Sequence, residues 1–441
     1  MSNTISYYKQ SQPQRAATTN TDLQATQENT SEASAGTIKV SVVSALGLIP
    51  VTGATVTISY TGDPNAPIET LTTDESGQTP TVELPAPPVE LSLDSSATEQ
   101  PYSEYNIQVT AEGYEPILVS GSEILPNQLS LQPIRMNPLD TTEDAERIVI
   151  IPAHTLFGEY PPKIPEDEIK PMPDTGEIVL SRVVIPEYVI VHDGVPGDST
   201  APNYWVRYKD YIKNVASCEI YSTWPESAIY ANILAIQSFT LNRVYTEWYR
   251  NQGYNFTITS STAYDQKWIY GRNIYENIDY LVDTIFANFL SRPGVRQPIF
   301  TSYCDGNRVT CDGLSQWGSK YLAEEGYSAI EIIRYYYGND MYINSADIVS
   351  GVPSSWPGYD LTIGSSGDKV RQLQNQLNRI ARNYPAIPTI IPDGIYGPAT
   401  AEAIRVFQRV FNLPQTGVTD YPTWYEVSDI YVGVTRIAEP E

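Results

Sequence analysis

The spacing of apolar residues changes along the chain, and this change limits the possible folds more than any other feature of the sequence. Between residues 37 and 138, apolar and polar residues alternate, as at Ile38, Val40 and Val42, which indicates half-buried strands. After about residue 206, apolar residues recur three and four positions apart, as in amphipathic helices. We therefore predict a multidomain protein with an N-terminal all-β sandwich, a central α+β domain and a C-terminal module of three helices.

Chain length and local composition set the expected domain boundaries. A chain of 441 residues is long enough for roughly two to four domains of ordinary size. Polar residues at the start and a stretch rich in Pro, Asp and Glu after the strands are typical of tails and linkers. The predicted segments are a disordered polar tail (1–36), the sandwich (37–138), an acidic Pro-rich linker (139–180), the central domain (181–345), a short linker (346–360), the helical module (361–431) and a tail (432–441).

The charge balance excludes two classes of partner. Asp and Glu number 52 against 27 Lys and Arg, which gives a formal net charge of −25. An acidic surface repels phosphate backbones and anionic lipids, so nucleic acid is not an expected partner. No stretch approaches the roughly 18 apolar residues of a membrane helix, so we expect no membrane insertion. The start of the chain also lacks the apolar stretch of a secretory signal.

Turn motifs in the alternating region carry a family resemblance. These motifs are Gly53-Ala54-Thr55-Val56, Thr73-Asp74 with Gly77, and Ala111-Glu112-Gly113-Tyr114. In them, residues 37–138 resemble the carboxypeptidase regulatory-like, transthyretin-type sandwich. The resemblance implies a spacer or adhesion unit without chemistry of its own.

The central region carries a second ordered set of motifs. They are Tyr211-Ile212-Lys213-Asn214-Val215 leading to Glu219, Trp224-Pro225, Asp265-Gln266 with Tyr270-Gly271, and Leu314-Ser315-Gln316-Trp317-Gly318. Over roughly residues 185–345, this order resembles the stage II sporulation protein D family. The resemblance implies lytic transglycosylase activity on peptidoglycan glycan strands, with Glu219 as the catalytic acid.

A single carboxylate is sufficient for that reaction. Ordinary glycosidases use two, whereas a lytic transglycosylase lets the 6-hydroxyl of the sugar attack, so one Glu can protonate the leaving oxygen and then accept the hydroxyl proton. Such a residue needs a raised pKa, which partial burial would give. The substrate-binding residues expected around Glu219 are Trp224, Gln237, Arg243, Gln266, Ser315, Gln316 and Trp317.

Two departures from the family pattern leave a second interpretation open. The family's Arg on the helix after the acid falls at Gln237, and its His before the closing motif falls at Thr310. Loss of such polar groups can leave a site that binds glycan without cleaving it. The sequence therefore indicates either a transglycosylase or a non-catalytic structural protein.

Cysteines and histidines offer little further chemistry. Cys304 and Cys311 are seven residues apart and either form a disulfide or remain two free thiols. Cys218 is expected to be a small buried residue. The only two histidines, His154 and His192, are too few for a zinc site, so we expect neither a metal nor another cofactor.

The last region has the most specific motifs. They are Val370-x-x-Leu373-Gln374-x-x-Leu377, Asp393-Gly394 with Gly397 and Thr400, Phe407-Gln408, and Gly417 through Thr423-Trp424. Residues 361–431 thereby resemble the first peptidoglycan-binding domain family. The resemblance implies binding to glycan strands, with ligand contacts near Tyr396, Gly397, Thr400 and Gln408.

These resemblances predict a protein of the cell wall or the spore envelope. Peptidoglycan glycan strands are the expected partner, and residues 1–138 are expected to link the protein to other wall or spore-layer proteins. Without a secretory signal, the protein would be made in the cytoplasm. Lysis, a non-classical route or assembly inside a mother cell would then deliver it.

Overall fold

The computed structural model describes residues 34–45, 48–139, 147–170, 182–352 and 355–435. Almost all of the predicted N-terminal tail lies outside these ranges, and residues 35 and 36 already belong to the first strand. No helix in the described ranges is both long and apolar enough to cross a membrane.

The N-terminal unit is built from strands, as the alternation predicts. Its elements are β1 (Ala35–Ser44), β2 (Thr55–Tyr60), β3 (Pro67–Thr72), β4 (Val82–Pro85), α1 (Glu90–Leu93), β5 (Ser103–Thr110), β6 (Ile117–Ile124), β7 (Leu129–Met136) and β8 (Arg147–Ile150). Within the described residues, β3, β2, β5, β6 and β8 form one sheet in that order, and β7, β1 and β4 belong to a second. Ile38, Val40 and Val42 of β1 share one buried apolar cluster with Val56 and Ile107 of the first sheet.

The region predicted as a linker forms a strand of the first sheet and then a segment that lies against the central domain. Its first described residues form β8, which pairs in parallel with β6 from Ile117↔Arg147 to Ser120↔Ile150. Residues 152–170, called the covering segment below, contain neither helix nor strand. They lie against the central domain and are tied to it by hydrogen bonds such as Ile164 N–H to Ala263 O (2.9 Å) and Phe300 N–H to Glu168 O (3.0 Å).

The central domain mixes short strands with buried helices. Its elements are β9 (Val184–Ile185), β10 (Tyr188–His192), β11 (Asn203–Arg207), α2 (Tyr208–Glu219), α3 (Glu226–Tyr245), β12 (Ile258–Thr259), β13 (Ile274–Tyr275), α4 (Glu276–Ile285), β14 (Asn288–Ser291), β15 (Tyr303–Cys304), β16 (Leu314–Ser315), α5 (Gln316–Glu324), α6 (Ala329–Tyr337), β17 (Tyr342–Ser345) and β18 (Ile348–Val349). α2 and α3 are buried around nearly their whole circumference. Helices of that kind form the centre of a domain rather than its surface.

The N-terminal unit and the central domain share a sheet and a buried ion pair. β13 pairs antiparallel with β7, at Ile274↔Leu131 and Tyr275↔Ser130. Beside it, the Arg272 guanidinium donates to both carboxylate oxygens of Glu123, at 2.9 and 2.6 Å, and neither side chain is exposed. The two parts therefore have a common interior.

The C-terminal module has three helices in residues 355–435, as predicted. They are α7 (Asp368–Ile380), α8 (Pro398–Val410) and α9 (Tyr421–Thr435). Proline at the first helical position of α8 costs no hydrogen bond, because that N–H has no acceptor within the helix. The apolar stripes meet in a core that includes Leu373, Leu377, Phe407 and Trp424. α9 continues to residue 435, beyond the predicted limit of the module at 431.

The module is docked on the central domain through buried charges. Lys209 of α2 binds Glu426 and Asp429 of α9, at 2.7 and 2.8 Å. Lys213 of α2 binds Asp279 and Asp283 of α4, at 2.7 and 2.9 Å. This group of two lysines and four carboxylates, called the α2–α9 charge cluster below, links the module to the centre of the molecule.

Candidate functional site

Glu219, the expected catalytic acid, is the last residue of α2 and has no exposed surface. One carboxylate oxygen accepts the backbone N–H of Lys267 at 2.7 Å, and the other accepts the hydroxyl of Tyr303 at 2.5 Å. Burial raises the pKa of Glu219, and the positive charge of Lys163 opposes that rise. The side chain thus has the raised pKa of an acid catalyst but no open path to a substrate.

The covering segment supplies two of the side chains around this carboxyl. The Lys163 ammonium donates to the Asp265 carbonyl oxygen at 2.6 Å and lies 4.5 Å from the centre of the Tyr303 ring. Tyr160 is buried, and the charge of Glu219 raises the pKa of its hydroxyl further than burial alone does. Glu219 is therefore enclosed by its neighbours and does not line an open cleft in this structure.

Charged contacts fasten the covering segment. Arg243, expected to bind substrate, is buried and donates to both carboxylate oxygens of Glu166, at 2.8 and 2.6 Å. Its Nε donates to Asp265 at 2.7 Å. Gln297 exchanges two hydrogen bonds with the backbone of Lys170, at 3.1 and 3.0 Å. Arg243 thus joins the covering segment to the loop that contains Asp265.

The structure brings Glu219, Gln266 and Arg243 together around one loop, as the motif order suggests. Gln266 is buried, accepts hydrogen bonds from Tyr211 and Thr240, and donates to the Ile236 carbonyl oxygen. Every polar atom of this amide is used inside the protein, so Gln266 supports the loop and does not face a sugar.

Trp224, Ser315 and Trp317 also have structural roles. The indole N–H of Trp224 donates to Ser92 in α1 at 2.9 Å, and its ring lies 5.0 Å from that of Trp317. The Ser315 hydroxyl caps α5 by accepting the Gly318 N–H at 2.9 Å. Both indoles are buried, so neither ring offers a face to a sugar.

Gln237 and Gln316 differ from the other expected substrate-binding residues. Both are wholly buried, and neither side-chain amide has a hydrogen-bond partner among the residues that the structure describes. An unpaired buried amide costs stability. Nothing in the structure explains why these two buried amides lack hydrogen-bond partners.

Cys304 and Cys311 form a disulfide, with 6.1 Å between their Cα atoms. It closes the loop from Cys304 to Cys311, next to Tyr303. Cys218 is a buried free thiol, as expected, and burial raises its pKa to about 12, which favours the neutral thiol over the thiolate. In the described part of the chain, His, Cys, Asp and Glu do not cluster in a way that would hold a metal ion.

In the C-terminal module, most of the expected ligand contacts are buried. Tyr396 donates its hydroxyl to the Gly417 carbonyl oxygen at 3.0 Å. Gln408 accepts the Gly417 N–H at 2.8 Å and donates to the Val418 carbonyl oxygen at 2.9 Å. Thr400 accepts a hydrogen bond from Gln374 at 3.2 Å. These three side chains hold the turns of the module together, and their contact with ligand stays a prediction. Gly397 alone remains partly exposed, at the start of α8.

A different part of the module has the features of a binding site. A groove of about 340 Å³, called the α7–α9 groove below, is lined by Asp368, Arg371, Gln372, Asn375, Gln376 and Tyr431. Gln376 is 3% exposed, and its side-chain N–H₂ group has no acceptor in the described ranges. Amide, guanidinium, carboxylate and phenol groups together suit the hydroxyls, amides and carboxylates of a sugar–peptide polymer. Sequence reasoning missed this groove because its residues lie outside the module's turn motifs.

Residues 366–426 match the model of the PG_binding_1 family, described as "Putative peptidoglycan binding domain". This match supports binding to peptidoglycan and association with the cell wall.

Other comparisons give only distant likenesses. No curated protein sequence matches the chain. The Bacillus anthracis TIE protein is 14% identical, with 24% of this chain and 17% of that protein covered and a TM-score of 0.18. GBS52, the minor pilin of Streptococcus agalactiae, is 15% identical. The match covers 26% of this chain and 49% of the pilin, with a TM-score of 0.18. Chlorocatechol 1,2-dioxygenase from Pseudomonas putida is 17% identical. The match covers 28% of this chain and 60% of the dioxygenase, with a TM-score of 0.15. The chain spans less than two thirds of each of these proteins.

Proposed function

We propose that this protein is a non-catalytic peptidoglycan-binding protein that carries its N-terminal unit and central domain on the wall. The observation that carries the proposal is the groove beside Gln376, lined by five residues of the region that matches the peptidoglycan-binding family and by Tyr431, which follows that region. An unpaired buried donor is stabilised when a ligand supplies its acceptor. We place the wall polymer in the α7–α9 groove for this reason.

Enclosure of Glu219 favours binding over cleavage. A general acid must come within hydrogen-bond distance of the oxygen that it protonates. In this protein, backbone and tyrosine donors occupy both carboxylate oxygens of Glu219, and the covering segment lies beside them. The central domain then serves as a rigid body between the wall-binding module and the N-terminal unit.

A second candidate function is lytic transglycosylase activity of the central domain, as the resemblance to the stage II sporulation protein D family implies. One observation favours it: burial raises the pKa of Glu219, as an acid catalyst requires. For this activity, the covering segment would have to leave the domain and break the contacts of Arg243 with Glu166.

Binding is tested with purified sacculi and the full chain. We expect Arg371→Ala and Gln376→Met to weaken sedimentation with sacculi by about tenfold, the size of one lost charged or buried hydrogen bond. Arg405→Ala is the matched control, because Arg405 is an exposed arginine of the same module outside the groove. Equal binding of all four proteins would place the polymer elsewhere.

Cleavage is tested separately by digesting glycan strands, with and without stem peptides, and analysing the products by mass spectrometry. We expect no 1,6-anhydro sugar ends from wild type. Anhydro ends that appear with wild type and disappear with Glu219→Gln would establish the transglycosylase and overturn the non-catalytic proposal.

A further inference from the structure

A second groove, of about 390 Å³, lies between the N-terminal unit and the central domain, away from the sites above. On one side it is lined by β8, and on the other by Tyr204 of β11 and the loop from Lys267 to Tyr270. This is called the β8 groove below.

The strand that lines this groove has an open edge. In the described part of the chain, β8 pairs with β6 on one side and with no strand on the other. The N–H groups of Arg147 and Ile151 donate to the carbonyl oxygens of Pro116 and Ser120, at 3.0 and 2.8 Å. Successive residues of a strand direct their backbone groups to opposite sides. The N–H and C=O groups of Ile148 and Ile150 therefore point away from β6.

The same strand is unusually apolar on its outer face. Ile148 is 59% exposed and Ile150 is 71% exposed. Edge strands in soluble proteins are normally protected by charges, prolines or a covering element, because an open apolar edge is a template for another strand. β11, across the groove, is also an edge strand of its sheet within the described residues, and it exposes Trp205. An edge strand thus contributes to each side of the groove.

The charges of the groove indicate the character of that strand. Arg147 and Lys267 line it together with one carboxylate, Asp193. Neither cation forms a salt bridge with a carboxylate that the structure describes. Arg147 lies over the ring of Tyr270 and donates to its hydroxyl. Two cations against one carboxylate, on a chain of net charge −25, favour an acidic ligand.

We propose that the β8 groove binds an extended acidic segment of a protein partner, which adds to β8 as a further strand. Backbone hydrogen bonds to Ile148 and Ile150 give the pairing, and apolar residues at alternate positions of the partner cover the two isoleucines. Acidic residues between them pair with Arg147 and Lys267. A groove walled on two sides admits a single strand, whereas the broad sheet edge of a second copy does not fit. The proposal adds a protein partner to the wall contact proposed above and does not depend on it.

The test uses three fluorescent peptides and the full chain. One alternates Val with Glu, the second has the same composition with the Val residues grouped together, and the third alternates Val with Lys. Binding is followed by fluorescence anisotropy, and amide hydrogen exchange of the protein shows where the peptide lies. We expect saturable binding of the first peptide only, with slower exchange of the Ile148 and Ile150 amides.

Two variants distinguish strand pairing from non-specific peptide binding. Ile150→Pro removes an N–H that the sheet does not use, and proline is tolerated at such an edge position, so we expect the fold to persist and peptide binding to fall at least about tenfold. Lys267→Glu should weaken the Val–Glu peptide and favour the Val–Lys peptide. Circular dichroism and retained binding to sacculi confirm folding of both variants.

Several results would overturn the proposal. These are equal binding of the three peptides, lack of saturable binding, or binding that Ile150→Pro leaves unchanged. Soluble muropeptides that compete for the groove without protecting the two amides would assign it to glycan instead.

Discussion

The backbone N–H of Lys267 donates to the buried carboxyl of Glu219 at 2.7 Å, while the side chain of the same residue lines the β8 groove on the protein surface. One backbone segment therefore separates an enclosed acid from an open groove. The side chain of Lys267 can be changed without removing the hydrogen bond to Glu219, because that bond comes from the main chain.

Glu219→Gln is expected to change how stability depends on pH. Burial raises the pKa of Glu219 above 4.5, so the folded protein keeps a proton that the unfolded chain releases above that pH. The free energy of unfolding that this group contributes is greatest at low pH, and it is lost as the pH rises through the pKa of the folded state. Urea unfolding of wild type and the variant should therefore diverge above pH 4.5, with wild type falling more steeply. The exposed Glu325→Gln is the control, and parallel wild-type and Glu219→Gln curves would contradict a raised pKa.

The buried pair of Arg272 and Glu123 should behave differently from a surface pair. We expect Glu123→Gln or Arg272→Met to destabilise the protein by roughly 3–5 kcal/mol, because each leaves one group buried without its partner. Arg405→Ala, which breaks the exposed pair of Arg405 with Glu402, should cost less than about 1 kcal/mol. Chemical unfolding measures both. If the buried-pair variants lost no more stability than Arg405→Ala, the N-terminal unit and the central domain would not depend on the pair of Arg272 and Glu123.

The α2–α9 charge cluster should loosen above neutral pH. Burial, together with the negative charge of Asp283, raises the pKa of Asp279 to about 7, despite its contact with Lys213. The folded protein holds this proton between pH 3.8 and about 7, and the associated stability is lost as pH rises through 7. Amide exchange in α4 and α9 should therefore be faster at pH 8 than at pH 6, after correction for intrinsic rates. Asp279→Asn should remove the difference and the exposed Asp347→Asn should keep it, whereas an unchanged profile in Asp279→Asn would assign the effect to other carboxylates.

Reduction of the disulfide should destabilise the central domain moderately. By the chain-entropy relation, closing a loop of this length is worth roughly 2.5 kcal/mol. We expect the double variant Cys304→Ser with Cys311→Ser to lose about that much, and wild type in reductant to match it. Cys218→Ser tests a buried thiol that lies outside the disulfide. Equal stability of wild type with and without reductant would show that the bridge contributes nothing.

The helical module was predictable from sequence because its signals are local. The stripe that contains Leu373 and Leu377 specifies α7 through a period that needs no distant partner. The same motifs do not separate ligand contact from turn geometry, because Tyr396 and Gln408 both hydrogen-bond to the turn at Gly417. Gln376 belongs to the stripe face and gives no signal of its unpaired amide.

The candidate site in the central domain could be predicted only in part. Motif order brings Glu219 and Gln266 together correctly. Enclosure of Glu219 depends on Tyr160 and Lys163, which are far away in sequence and lie in a region that reads as linker. Thr223 shows the same limit: its spacing to Glu226 predicts a helix cap, but its hydroxyl lies 2.8 Å from that of Ser92, and Pro225 takes the cap position of α3. Long-range contacts of this kind have no local period.

Pairing of β13 with β7 has a consequence for how such a protein can be divided by recombination. A gene break within residues 140–180 would separate a strand from the sheet that it completes, and would leave Glu123 in one product and Arg272 in the other. Neither product could be exchanged as an independent cassette. Shuffling of modules between wall proteins should therefore preserve residues 35–345 as one inherited block.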